Sequence, residues 1–260
     1  MTAPVAHCAR HPFDAATGAC GRCGRPMCAR CLRETPEGWR CPECAAMQGA
    51  DPRPASERLG AAGDGGRGVV TFSLIGANTV VAVLAAASGL AAGLDLRSVL
   101  LGGVTPLHLW GALDAASVAE GGWWRPLTSM FLHYGAIHLG MNMLALSFAG
   151  RPLEAALGRT RFLLLYLLGG LGGSIAVVLS GTTALTAGAS GAIFGLFAAL
   201  VVVLRRLGRS AGAVLPVIVA NLVLTFAVPG ISIAGHLGGL VAGAVAALLL
   251  TPRARRRGSR

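Results

Sequence analysis

Polar and apolar positions divide the chain into three zones. Residues 1–45 are polar and cysteine-rich, residues 46–68 are rich in Gly, Ala, Pro and charge, and apolar runs dominate from there on. Six such runs lie at about 69–92, 136–150, 162–181, 188–204, 211–228 and 231–250. Most approach the roughly 20 residues that a helix needs to cross a bilayer. The second is short but extends to about 155 if it continues past Arg151. Segment 93–135, between the first two runs, carries Trp110, Trp123 and Trp124. Tryptophan favours the membrane interface, which places this segment on or partly in the outer leaflet. The pattern predicts an all-α membrane protein. A small module at 1–45 and a flexible linker at 46–68 precede a six-helix membrane domain at 69–252, and a basic tail follows at 253–260.

Composition agrees, with 54% hydrophobic and 13% charged residues. The charged share is about half the soluble norm of roughly 25%. Net charge is +11, and every basic residue is arginine. A basic chain can bind nucleic acid, but these arginines stand beside the apolar runs. There they read as topology signals and contacts to the lipid bilayer, and no nucleic-acid partner is expected. Arg151, Arg159 and Arg161 follow the second run. Arg205, Arg206 and Arg209 follow the fourth, and Arg253, Arg255, Arg256, Arg257 and Arg260 close the chain. The loops near 182–187 and 229–230 have none. The positive-inside rule then puts both termini in the cytosol of a multi-pass protein, with the cell (plasma) membrane as the expected location. The polar opening of the chain does not read as a secretory signal.

The first module contains all seven cysteines in a repeated spacing: Cys8-x2-His11, Cys20-x2-Cys23, Cys28-x2-Cys31 and Cys41-x2-Cys44. An x2 spacing lets a tight turn aim two donors at one metal. Eight ligands are the number two tetrahedral zinc ions need. Disulfides are the competing reading, disfavoured by the odd cysteine count and by a reducing cytosol. His7 is an alternative to His11, but only His11 has the pair spacing. The pattern resembles B-box and RING-type fingers. That resemblance implies cross-bracing, with pairs one and three sharing one structural zinc and pairs two and four the other. A finger of this size most often binds protein, so a cytosolic protein partner is expected.

Two stretches of the membrane domain carry candidate chemistry. Thr186-Ala-Gly188-Ala-Ser190-Gly191-Ala-Ile-Phe194-Gly195 opens the fourth run, a hydrophobic helix, with a serine flanked by glycines. Gly235-His236-Leu-Gly-Gly239 places an ionisable residue in the sixth. Ionisable residues are expensive in lipid and mark functional sites. A serine and a histidine buried together read as a nucleophile and its base. The blander reading of each is helix-packing glue. His138 and Asn142 lie four apart on one face of the second run, as interhelical donors or, beside a nucleophile, as an oxyanion hole. In the predicted topology runs two, four and six all descend from the outer face, so His138, Ser190 and His236 lie at similar depth. Gly191/Gly195 and Gly235/Gly239/Gly243 repeat the spacing that lets two helices approach closely. Neither Asp nor Glu occurs after Glu154, so a dyad rather than a triad is expected.

Together, Trp124-Arg125, His133-x4-His138-x3-Asn142, Gly188-Ala-Ser190-Gly191 and Gly235-His236 resemble the rhomboid intramembrane serine proteases, over about residues 69–250. The resemblance implies a Ser190–His236 dyad without a catalytic cofactor. It implies oxyanion donors at His138, Asn142 and the Ser190 N–H, with Arg125 helping to hold segment 93–135. Substrates would be transmembrane segments of other proteins, cut near the outer face. Span five would be a lateral gate, with a cap near Pro229-Gly230. Phe194 departs from the tyrosine found one turn after the serine in many bacterial members; it can stack on His236 but cannot hydrogen-bond. Two readings compete: an inactive relative that binds membrane proteins, and a polar-lined channel or transporter.

Overall fold

The computed structural model describes residues 6–35, 38–46 and 68–252. The expected linker, apart from Ala46 and Gly68, and the tail at 253–260 lie outside the described residues. The chain divides into two compact units, Met1–Arg53 and Pro54–Arg260.

In the first unit, β1 (Gly18–Ala19) and β2 (Pro26–Met27) form an antiparallel hairpin, and α1 (Pro42–Ala46) follows. Its core is sulfur: Cys8, Cys20, Cys28, Cys31, Cys41 and Cys44 are buried with Met27, and Leu32 packs against them. So small an apolar core rarely holds a fold of this size without metals or disulfides. All seven cysteines are free thiols.

The second unit is helical: α2 (Val69–Ala91), the short helices α3 (Leu96–Leu101), α4 (Pro106–Gly111), α5 (Ala115–Ala119) and α6 (Arg125–Thr128), then α7 (Gly135–Leu157), α8 (Arg159–Leu179), α9 (Ser190–Arg206), α10 (Leu215–Ala227) and α11 (Ile233–Leu250). The short helices start at local caps. Asp95 accepts from the Ser98 N–H and Asp114 from the Ser117 N–H, while Thr105 and His108 make a capping box. Each satisfies a backbone donor that has no partner within its helix.

Six long helices correspond to the six predicted spans, but they are not equivalent. Among the described residues, α2, α8 and α11 are long and apolar enough to cross a membrane. At 23 residues α7 is long enough, but it carries His138, Asn142, Arg151 and Glu154. With 17 and 13 residues, α9 and α10 are shorter. At about 1.5 Å per residue they fall short of a hydrocarbon core of about 30 Å. The outward faces are apolar, with Ile137, Leu179 and Leu249 at least three-quarters exposed, while Asn78, His133, Glu154 and Thr225 are buried. A chain with greasy faces outside and polar groups inside is an integral membrane protein.

The central helix is α9, buried at every position from Ala192 to Leu200. Glycine permits this. A methyl at Gly239 would collide with the Gly191 carbonyl, one at Gly243 with Gly195, and one at Gly173 would lie 2.6 Å from the Gly235 carbonyl. The predicted close approach of the fourth and sixth runs is present, and α8 joins it. Around this contact pack Leu146, Leu153, Phe162, Leu165, Tyr166 and Phe197.

Candidate functional site

The turn before α9 is tied down along its length. Leu113 and Thr186 exchange backbone hydrogen bonds of 2.8 and 2.7 Å, and the Gly188 N–H donates to Ser129 at 2.9 Å. Tyr134 donates its hydroxyl to the Leu185 carbonyl at 3.0 Å. His133 Nδ1 lies 3.3 Å from the Phe131 carbonyl, and its Nε2 lies 3.4 Å from the Ala189 N–H. The carbonyl can only accept, so Nδ1 carries the hydrogen and Nε2 takes the Ala189 amide. These bonds fix where Ser190 begins the helix.

At that point the two predicted residues meet. Ser190 Oγ lies 2.7 Å from His236 Nε2. His236 is 8% exposed. The Phe194 ring stacks on the imidazole, with centroids 4.3 Å apart and planes 22° from parallel. Gly188 has φ of 138°, a value that favours glycine. A side chain there would also intrude on His138: its Cβ would stand 2.9 Å from Cε1 and 3.0 Å from Nε2, and 3.6 Å from Ser190 Oγ. The His138 imidazole and the Ser190 hydroxyl thus border one small space. Gly191 faces α11, where a Cβ would lie 3.2 Å from the Gly235 carbonyl.

Asn142 is buried one turn further along α7 and donates to the His138 carbonyl at 2.9 Å. One amide hydrogen is therefore engaged within its own helix. Arg125 stands apart from the serine, donating to the carbonyls of Ala112 at 2.6 Å and Leu109 at 2.8 Å. It thereby ties the end of α4 to α6. Beside it Trp110 and Trp124 stack at 5.7 Å, and Trp123 is 80% exposed.

Three buried polar residues have partners that sequence reasoning missed. Thr225 Oγ1 lies 2.7 Å from His236 Nδ1. Run five ascends in the predicted topology, so its end returns to the depth of Ser190; that was the available signal. His108 bridges Thr105 Oγ1 at 2.8 Å and the His133 carbonyl at 3.1 Å. Glu154, the last acid in the chain, accepts from the Val70 and Thr71 N–H groups at 2.9 Å and the Thr71 hydroxyl at 2.8 Å. It caps α2.

A rhomboid domain family model matches residues 120–253, which hold the serine, both site histidines and Asn142. The chain belongs to the rhomboid family. It is 42% identical over 152 residues to Rhomboid protease GluP of Bacillus subtilis, a match covering 55% of this chain and 29% of that protein. RHOMBOID-like protein 4 of Arabidopsis thaliana is 36% identical over 155 residues, covering 56% of this chain and 39% of that protein. Putative rhomboid protease YdcA of Bacillus subtilis is 37% identical over 146 residues, covering 54% of this chain and 73% of that protein. The chain thus spans well under half the length of the first two relatives.

Outside the rhomboid match, the N-terminal unit gathers its predicted ligands into two groups. Cys8, His11, Cys28 and Cys31 form one, and Cys20, Cys23, Cys41 and Cys44 the other, with all ligand atoms in a group within 4.8 Å of one another. This is the interleaved pairing of a cross-braced finger. His11 Nδ1 lies 4.0, 3.5 and 3.3 Å from the sulfurs of Cys8, Cys28 and Cys31. The Cys23 and Cys41 sulfurs are 3.9 Å apart. A tetrahedral site with metal–sulfur bonds near 2.3 Å has edges of about 3.8 Å, so both groups fit one. The thiols are unequal. The Cys41 backbone N–H pulls Cys20 down to about 5, while the neighbouring Cys41 thiol and burial push Cys44 up to about 12. Crowded sulfurs cannot all ionise unaided, and a bound cation removes that conflict. Arg25 lends positive charge, with Nε 3.4 Å from Cys23 Sγ and Nη2 3.7 Å from Cys41 Sγ.

Proposed function

We propose that this rhomboid is an intramembrane serine endopeptidase that cuts transmembrane segments of other membrane proteins near the outer face. The observation that carries the reading is the partly buried 2.7 Å contact between Ser190 Oγ and His236 Nε2. A serine hydroxyl is a weak nucleophile until a base takes its proton. Here Nε2 accepts that proton as Oγ attacks the scissile carbonyl. The imidazolium then returns it to the leaving amine, and water releases the acyl group by the same steps. The oxyanion is stabilised by His138, Asn142 and the Ser190 N–H. Gly188 and Ala189 have already committed their amides to Ser129 and His133, so the helix N-terminus presents the next one. The relatives named as proteases support the same reading.

All six long helices span the bilayer in this reading, the shorter α9 at the centre of the bundle and the shorter α10 at its edge. Both termini face the cytosol, and the cell membrane is the location. The two N-terminal groups hold one structural zinc each, about two ions in all, through Cys8, His11, Cys28 and Cys31 and through Cys20, Cys23, Cys41 and Cys44. The finger recruits a cytosolic protein. The test is a purified enzyme in detergent with a model transmembrane substrate and a fluorophosphonate probe. Wild type should cleave and become labelled, whereas Ser190→Ala and His236→Ala should remain folded and do neither. Substantial cleavage by Ser190→Ala would refute the assignment.

A further inference from the structure

His236 is held from both sides of its ring. Nε2 faces Ser190 Oγ at 2.7 Å, and Nδ1 lies 2.7 Å from Oγ1 of Thr225 on α10. Thr225 Oγ1 is also 2.7 Å from the carbonyl oxygen of Asn221, one turn back on its own helix. These contacts fix the protons. A hydroxyl has one hydrogen to donate and lone pairs to accept with. The Asn221 carbonyl only accepts, so Thr225 donates there; otherwise two oxygens would face each other with no hydrogen between them. Thr225 Oγ1 is then an acceptor, and Nδ1 of His236 carries a hydrogen. In the neutral ring Nε2 is therefore the lone pair, aimed at the serine hydroxyl. This tautomer can take the serine proton; the other cannot.

We propose that Thr225 is the positioning residue of the dyad. Its hydroxyl holds Nδ1–H and so selects the tautomer and ring orientation, the task a carboxylate performs in a Ser-His-Asp triad. The proposal rests on the reading of Ser190 and His236 as nucleophile and base. No acid follows Glu154 in the chain, and Glu154 itself caps α2. A neutral acceptor also avoids burying an anion in the bundle. The supporting helix is lightly anchored: Ile218 and Thr225 are its two buried residues, while Val219, Val223 and Phe226 are exposed. The dyad is thus complete only while the end of α10 is seated, because displacing it removes the Nδ1 acceptor.

Thr225→Val keeps the side chain's shape and removes the acceptor, and Thr225→Ser keeps the hydroxyl. In histidine-15N-labelled protein, with signals assigned by His236→Gln, the neutral wild-type ring should show a protonated Nδ1 and a bare Nε2. In Thr225→Val that preference should be lost. On a transmembrane substrate Thr225→Val should lower kcat about 10- to 100-fold, by analogy with loss of the partner that orients a metal-bound histidine, with KM nearly unchanged. Thr225→Ser should restore most of the loss. A wild-type ring protonated at Nε2, wild-type turnover in Thr225→Val, or equal impairment of both variants would overturn the proposal. The NMR measurement needs no turnover. A wild type with Nδ1–H but no cleavage would refute the proteolytic reading and still support Thr225 as the ring's holder.

Discussion

In the proposed mechanism the oxyanion donors act where charge develops, and at that position geometry separates residues that sequence treats alike. His138 borders the space beside Ser190 Oγ, whereas Asn142 gives one amide hydrogen to the His138 carbonyl. Each should still matter singly, because one lost donor costs on the order of 10²–10³ in rate while the others remain. His138→Ala and Asn142→Ala should therefore lower turnover of a transmembrane substrate without abolishing it. A folded Asn142→Ala as dead as Ser190→Ala would instead make Asn142 a positioning residue, through its bond to His138. The grouping of Ser190, His236 and His138 was legible because polar residues stand out in apolar runs and the predicted topology gives their spans one direction. Thr225 was not, because threonine in a membrane helix ordinarily bonds back to its own chain, as it does to Asn221. Only the placement of α10 gives it a second partner.

At the scale of elements, apolar runs located the helices but not what joins them. The run at 69–92 became α2 nearly unchanged, and the short second run continued past Arg151 to Leu157. Glu154 explains why that extension is tolerated. A buried carboxylate accepting three hydrogen bonds at the start of α2 satisfies orphan amides and its own charge together. Glu154→Gln would keep the size but replace one acceptor oxygen with a donor NH2 group facing donors. Such a change costs about 1–3 kcal/mol, which for a unit of this size lowers the melting midpoint by roughly 3–10 °C. Thermal unfolding in detergent measures it, and an unchanged midpoint would remove Glu154 from the bonds that hold α2. Sequence could not assign this partner, because the contact spans more than eighty residues and acid–amide caps leave no local motif when the cap comes from another helix.

At the scale of the whole molecule, the two units follow different rules of stability. The first has a core of sulfur and little else, and in the proposed zinc reading its fold depends on the metal its eight ligands would hold. Metal analysis of protein purified without chelator should give about two zinc ions per chain, from eight ligands at four each. Chelation should disorder residues 7–44 and leave the helical unit's circular dichroism intact; protein free of zinc would reject the assignment. The helical unit holds Ser190, His236, His138, Asn142 and Thr225 within one glycine-lined bundle, and the rhomboid match lies wholly inside that unit. In the proposed topology the finger is cytosolic and the dyad lies near the outer face. The role we propose for the finger is therefore recruitment, which would raise the local concentration of chosen partners. A protein beginning near residue 65 should keep its helices and cut an unrelated transmembrane substrate in detergent as fast as the full chain, while its choice of substrates in cells changes. A folded truncation slowed roughly a hundredfold, the upper range of typical coupling between sites, would show instead that the finger controls the membrane unit.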